Sequence, residues 1–320
     1  MKKIFVGIAV SALFVYLSLR GVNFAVLRES LQGIVFWQLL PFLFLTILMQ
    51  GLRILRWGII VEPLGKLDKL SLFAIANIGF LAIVALPARL GELMRPFLLS
   101  RRGDINLSAA LGTIVMERIL DGFAILAFAL LSLFFIELPP WLVKGSVVFA
   151  LLNGVLFLAV IIHIFREKGV KQKKGIHPIL DKLRDLLDNF LAGFQIIKGR
   201  SKLFLVLSLS LLLWFVNVWA IYSLFTAFHL SLPPVAAVIL MTVLIVGIAI
   251  PTAPGFIGNW HYACVLGLGL FGIEKSQALS FAVFYHILAV GVVVCLGLAS
   301  LPFLHLDFSG LKRLMTALSR

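Results

Sequence analysis

The sequence predicts an all-α polytopic membrane protein, and three observations carry that prediction. Of its 320 residues, 62% are hydrophobic and 13% charged, with a mean hydropathy of +1.11. Soluble domains hold roughly 45–50% apolar and about 25% charged residues, so no soluble fold of this size could bury so much apolar surface. Apolar stretches also recur at close to the ~20 residues a helix needs to cross the hydrocarbon core. The short alternating strands of a transmembrane β-barrel do not occur. The net charge of +14 lies mostly between the apolar runs. There it sets orientation and attracts anionic headgroups; nucleic acid is not the expected partner.

Residues 4–19 form the first predicted helix, read as uncleaved because no small-x-small site follows it. A polar link with Arg20, Asn23, Arg28, Glu29 and Gln32 leads to a second helix at 37–60. Pro41 suits its first turn, and Arg53 and Arg56 near its far end are expected to snorkel to the interface. Residues 71–102 differ. An apolar arm of about sixteen residues runs into Pro87, Gly91 and Pro96, then into a second short arm ending at Arg101 and Arg102. Two short arms around a Pro/Gly break predict a re-entrant hairpin, with a single kinked helix as the alternative. Spans follow at 107–136 and 142–165.

The long polar stretch at 166–202 holds ten Lys/Arg and four Asp/Glu. Within it Ile179, Leu183, Leu186, Leu187, Phe190 and Phe194 share one helical face, which predicts an amphipathic helix lying on the membrane or packed on neighbouring loops. A span at 203–228 comes next. A second broken element runs from 234 to 271 around IPTAPGFIGNWH, and a last span covers 278–301. Lys/Arg counts in the short loops place both termini and the 166–202 loop in the cytoplasm. The count closes with six full spans and two opposed re-entrant hairpins in one integral membrane domain, residues 1–320. Opposed broken elements leave an inverted repeat open, although LPARLGE and IPTAPGFIG echo each other only weakly.

Six ionisable residues fall where lipid is expected: Arg89, Glu92, Arg95, Glu117, Arg118 and Asp121. A charge at the bilayer centre costs about 2.5–3.5 kcal/mol on insertion scales, so these six should be paired or face a watery interior. Glu92 and Arg95 are three apart, Glu117 and Asp121 four apart, and Arg118 and Asp121 three apart, spacings that share a helical face. Arg89 or Arg95 meeting Glu117 or Asp121 is the natural pairing between helices. Such a set can be a structural salt-bridge network or a headgroup site in which Arg89, Arg95 or Arg118 binds phosphate. It can also be a catalytic site with Glu117 or Asp121 as base. Asn77, one arm upstream, fits any of the three.

The second break carries no charge. Its Pro254, Gly255, Gly258, Asn259 and His261 offer close backbone approach, helix N-terminal amides for an anion, or simply a tight turn. Tyr285 and His286 are weaker candidates of the same kind. Cys264 and Cys295 read as small apolar residues, and neither a metal site nor a cofactor is expected.

LPARLGELMRP, then VMERILD about twenty residues on, then a basic central loop and PTAPGFIGN, resembles the lysylphosphatidylglycerol synthase transmembrane-region family of flippase-like integral membrane proteins. RILRW at 53–57 fits the same pattern. The resemblance runs from the second helix to the last. It implies a lipid-translocating domain in the cytoplasmic (inner) membrane. It also carries Arg89, Gly91, Glu92, Arg95, Glu117, Arg118, Asp121, Pro254, Gly255 and Gly258 over as motif residues. Family members often have a carboxylate where this chain has His261, which counts against a shared proton or cation role there. The soluble transferase domain of the aminoacyl-lipid synthases is not expected, so lysyl transfer is not either. The leading expectation is flippase-like translocation of an anionic lipid or lipid-linked headgroup. No GxxxxGK[ST] motif provides for ATP. The alternatives are a membrane transferase acting on a lipid or polyprenyl phosphate, or a structural partner of a separate lipid-modifying enzyme.

Overall fold

The computed structural model describes residues 2–103, 105–137, 139–166, 178–250 and 252–319, with side chains at all of these except 2–6, 87–89, 164–166, 178–181 and 317–319. The described residues are helical and contain no strand. Four helical stretches are long and apolar enough to cross a membrane, at Phe36–Leu64, Pro140–His163, Arg200–Ala227 and Lys275–Leu304. The helix Leu107–Ser132 (α6) has 26 residues, about 39 Å at 1.5 Å per residue, but it carries Glu117, Arg118 and Asp121 within it.

The remaining helices are α1 (Lys2–Leu19), α2 (Phe24–Gln32), α3 (Leu40–Val61), α4 (Lys69–Ala85), α5 (Met94–Arg102), α7 (Pro140–Arg166) and α8 (Pro178–Ala192). After them come α9 (Arg200–Ala227), α10 (Pro234–Ala249), α11 (Asn259–Gly269), α12 (Lys275–Ala299) and α13 (Phe308–Ser319). Polar side chains start several of them. Asn23 accepts a hydrogen bond from the Ala25 amide at α2, Asp68 from Ser71 at α4, and Asn106 from Ser108 at α6. Each satisfies a helix N–H that has no partner within its own helix.

Two short helices occupy segments that read as links in the sequence. The link after residue 20 holds α2, which turns 86° from α1. The C-terminal tail holds α13. Both are amphipathic, and neither is long enough to register as a hydrophobic run. The third amphipathic helix, α8, lies where the apolar face in the basic stretch predicts it, with Leu183, Leu186 and Leu187 exposed.

The element order repeats. A long helix, a short amphipathic helix, a 3-10 turn, a long helix, a short apolar helix, a 3-10 break, a short helix and a long helix run from α1 to α6. Apart from an extra 3-10 turn at Glu62–Leu64 between α3 and α4, the same succession of described elements runs from α7 to α12. The packing repeats with it. The third helix of each half, α3 and α9, pack on each other. Helix α2 packs on α12 as α8 packs on α6, and α4 packs on α12 as α10 packs on α6. Outward faces are apolar, with Phe44, Leu151, Leu152, Val155 and Phe204 all well exposed. Water would penalise so large an apolar surface, whereas lipid tails would not.

Both short apolar helices fold back on the short helix that follows. A Cβ on Gly91 would overlap the carbonyl group of Ala82, so the first break lies flat against α4 only because residue 91 is glycine. In the second, Leu240 of α10 packs on Gly267 of α11. The two breaks meet: the 3-10 turn Pro254–Phe256 contacts both α4 and the 3-10 turn Pro87–Leu93.

Candidate functional site

The first break delivers α5 against α6, and α3 and α9 close over the same spot. Four charged side chains join there. Arg95 donates from Nη1 to Glu117 Oε2 at 2.6 Å. Arg56 donates from Nη2 to Glu117 Oε1 at 3.2 Å and from Nη1 to Asp121 Oδ1 at 2.6 Å and to Ser210 Oγ at 2.9 Å. Trp214 Nε1 adds a bond to Asp121 Oδ1 at 3.0 Å. Arg56, Arg95 and Glu117 are each no more than 2% exposed, and Asp121 is 7% exposed. Charges this deeply withdrawn from water persist only when paired and hydrogen-bonded, and here every carboxylate faces a guanidinium.

Aromatic rings wall the cluster. The Arg95 guanidinium lies over Trp57 at 5.2 Å and over Phe80 at 4.9 Å. Trp57 is pinned by donating Nε1–H to Thr113. Arg53, one turn before Arg56, lies over the same Phe80 ring at 5.7 Å and donates to Gln50 Oε1 at 3.0 Å. Among the described residues, several buried polar atoms have no partner: Gln50 Nε2, Asn77 Oδ1, Arg56 Nε, and both Nε and Nη2 of Arg95.

The structure thus brings Arg95, Glu117 and Asp121 together. Arg118 points away, 45% exposed, and reaches Asp121 only at 3.8 Å. Glu92 is half-buried on the break, and the side chain of Arg89 lies outside the described part. Asn77 is buried on α4, donating to Phe73 O.

One sequence expectation fails for two residues. Neither Arg53 nor Arg56 snorkels outward: Arg53 turns in to Gln50 and the Phe80 ring, and Arg56 is buried and bridges three helices. Its depth along α3 suggested the interface, but the direction it faces decides the matter. Thr46, Gln50, Arg53 and Trp57 recur at helical spacing and mark a polar stripe that turns inward. That stripe was the available signal for Arg56, Arg53 and Gln50. For Ser210 and Trp214, on the mostly apolar α9, there was none.

The second break uses its polar residues differently. Asn259 donates from Nδ2 to the carbonyls of Gly247 and Ile250, tying the end of α10 to the start of α11. The Gly258 amide donates to His261 Nδ1, and the Gly255 carbonyl accepts from His286 Nε2 at 2.7 Å. Ser11 of α1 receives the Ala253 amide and donates to Ile257 O. Gly258 has φ +96°, and a side chain there would also press on the Ser11 carbonyl. Pro254 opens the 3-10 turn. Asn259 and His261 therefore serve as caps, and much of the polar capacity of the break is used within it.

A helical bundle with lipid-facing walls, a buried guanidinium–carboxylate cluster and two broken helices meeting beside it defines an integral membrane protein that holds polar chemistry inside its core. This chain belongs to the family described as Lysylphosphatidylglycerol synthase TM region, whose model matches residues 4–297. It is similar to a UPF0104 membrane protein of Methanocaldococcus jannaschii, 27% identical over 212 residues, which cover 66% of this chain and 88% of that protein. A UPF0104 membrane protein of Methanothermobacter thermautotrophicus is 23% identical over 282 residues, covering 81% of this chain and 83% of the relative. No solved structure matches.

Proposed function

We propose that this protein translocates an anionic lipid, or a lipid-linked anionic headgroup, across the cytoplasmic membrane. The observation that carries the reading is the buried cluster of Arg56, Arg95, Glu117 and Asp121, with the half-buried Arg53 over the same Phe80 ring as Arg95, in a bundle whose two broken helices contact each other. It supplies three guanidiniums against two carboxylates. Arginine forks match phosphate oxygens, and a surplus guanidinium in a lipid-surrounded interior favours an anionic guest. Lipid tails would stay in the bilayer while the headgroup passes between the breaks.

In this reading α1, α3, α6, α7, α9 and α12 are the six full spans. The pairs α4–α5 and α10–α11 are re-entrant hairpins entering from opposite faces, and the two halves are an inverted repeat. The repeated element order and the exchanged packing partners support that arrangement. The chain forms one membrane domain, with the termini and the α8 loop cytoplasmic. The family's description refers to a lipid synthase, which fits a lipid substrate and a separate lipid-modifying enzyme as partner. The rival reading, a membrane transferase, needs a carboxylate with spare capacity as base or metal ligand. Both oxygens of Glu117 are already held by guanidiniums, and Asp121 Oδ1 accepts two bonds, which favours translocation.

The test is reconstitution into liposomes with headgroup-labelled fluorescent phosphatidylglycerol or phosphatidylcholine, followed by quenching of the outer leaflet with a membrane-impermeant reductant. Phosphatidylglycerol should lose its protected fraction faster in proteoliposomes than in protein-free vesicles. Equal rates for every labelled lipid would sink the reading.

A further inference from the structure

We propose that Arg53, with the amide of Gln50 and the free edge of Arg95, forms the phosphate-binding subsite for the guest. The proposal rests on the translocation reading and names the atoms that would hold its substrate.

Arg53 differs from its two neighbours. Arg56 and Arg95 each bond a carboxylate within 3.2 Å, whereas among the described residues Arg53 forms no ion pair within 4.0 Å. Its partners are Gln50 Oε1 and the face of Phe80. It is also only partly buried, so a guest can reach it.

Among the described residues, the surrounding atoms are donors without acceptors. Gln50, 1% exposed, uses its amide oxygen on Arg53 and leaves Nε2 with no protein partner, on the same planar amide that positions Arg53. Arg95, also 1% exposed, spends Nη1 on Glu117 and leaves Nε and Nη2 unpartnered, over the ring that Arg53 covers. Buried polar groups are almost always satisfied, so three unmatched donor positions, two on Arg95 over the Phe80 ring and one on the amide that Arg53 bonds, call for an explanation. A tetrahedral oxyanion supplies several acceptors at once. It would match the Arg53 fork, take the Gln50 amide proton and share the outer edge of Arg95. The carboxylates of Glu117 and Asp121 stay engaged with Arg56 and Arg95, so the guest need not displace them.

The experiment titrates purified full-length protein in neutral detergent with dioleoylphosphatidylglycerol, dioleoylglycerol and inorganic phosphate, reading bound species by native mass spectrometry. Wild type should retain phosphatidylglycerol in preference to dioleoylglycerol. Arg53→Gln should weaken that binding roughly tenfold or more, the scale of a lost charged hydrogen bond, with Arg53→Lys between the two. Arg101→Gln, an exposed change on α5, should leave it unaltered. The melting temperature of Arg53→Gln should match wild type, because Arg53 neutralises no carboxylate. Unchanged affinity in Arg53→Gln, or an equal loss in Arg101→Gln, would overturn the subsite. Inorganic phosphate displacing the lipid would support phosphoryl recognition. Phosphate binding where the lipid does not would overturn the lipid source and assign the donors to the free ion. Should Arg53→Gln fail to fold, Gln50→Leu keeps the guanidinium in the chain while removing both the Nε2 donor and the oxygen that positions Arg53, and unchanged lipid affinity there would overturn the shared donor set. Lipid binding without lipid exchange in liposomes would defeat translocation and leave the subsite standing. Exchange unaltered in folded Arg53→Gln would do the reverse.

Discussion

The two broken helices solve one backbone problem with different side chains. In both, a proline and a glycine stop a short apolar helix and let the next one fold back along it. The first is then held by charge, through Arg95 to Glu117 and on to Arg56. The second is held by neutral groups, through Asn259 to two helix-end carbonyls, histidine caps, and the Trp260, Tyr285 and His286 rings about 5 Å apart. The shape of a break is therefore separable from its chemistry. The charged groups are concentrated on the first, and the second is closed by uncharged ones.

Removing a charge should have the largest effect. Glu117→Gln leaves two buried guanidiniums short of a counter-charge and should destabilise the protein by about 3–5 kcal/mol. Thermal melts in lipid nanodiscs would show it. Replacing Arg95 by Met and Glu117 by Leu together should recover part of that loss. If Glu117→Gln costs no more than Asn259→Ala, the contrast between the two breaks collapses.

The glycines should behave alike on both sides, since the backbone device is shared. Gly91→Ala forces a Cβ onto Ala82, and Gly258→Ala forces one onto Ser11 from a left-handed backbone. Each should cost about 1–3 kcal/mol by the same melts. A mild Gly91→Ala beside a severe Gly258→Ala would show that the charge network, and not close approach, fixes the first break. Asn259→Ala should be smaller, about 1–2 kcal/mol, from the two carbonyls left without their donor.

The least effect concerns pH. Hydrogen bonds from the Ser71 hydroxyl and amide hold the Asp68 carboxyl below its ordinary 3.8 at the start of α4. A carboxyl lowered in the folded state contributes its full stability above the unfolded value and loses it as pH falls through the folded one. The melting-temperature gap between wild type and Asp68→Ala should therefore shrink on acidification below about pH 4. The matching helix α10 begins at Pro234 with no side-chain cap and should add no such dependence. A gap constant down to pH 2 would show that the Asp68 charge contributes nothing.

Much of this was legible in the sequence because lipid is an unforgiving solvent. Apolar length gave the long helices, and Pro87, Gly91, Pro254 and Gly258 gave the breaks. Charges in an apolar run must find one another, so Glu117 and Asp121 pointed to a partner such as Arg95. Position along a helix says nothing by itself about which way a residue faces, so Arg53 and Arg56 read as interfacial in the sequence although both turn inward. Short amphipathic helices such as α2 and α13 look like polar links because their apolar residues are few and spaced. The hydroxyl of Ser210 and the indole of Trp214 are ordinary in an apolar span, and only tertiary packing shows what they bond.

The bridging position of Arg56 also bears on how the chain enters its membrane. Helices that leave the ribosome first insert first, and a carboxylate placed alone in hydrocarbon resists insertion. In this chain the cations come earlier: Arg56 on α3, then Arg95 on α5, both ahead of Glu117 and Asp121 on α6. When α6 arrives, its counter-charges already wait in the bilayer. Ser210 and Trp214 on α9 close the cluster more than eighty residues later. Whichever sign comes first waits unneutralised at a similar cost, so the order of these charges means that Arg56 and Arg95, rather than the carboxylates, bear it until α6 follows.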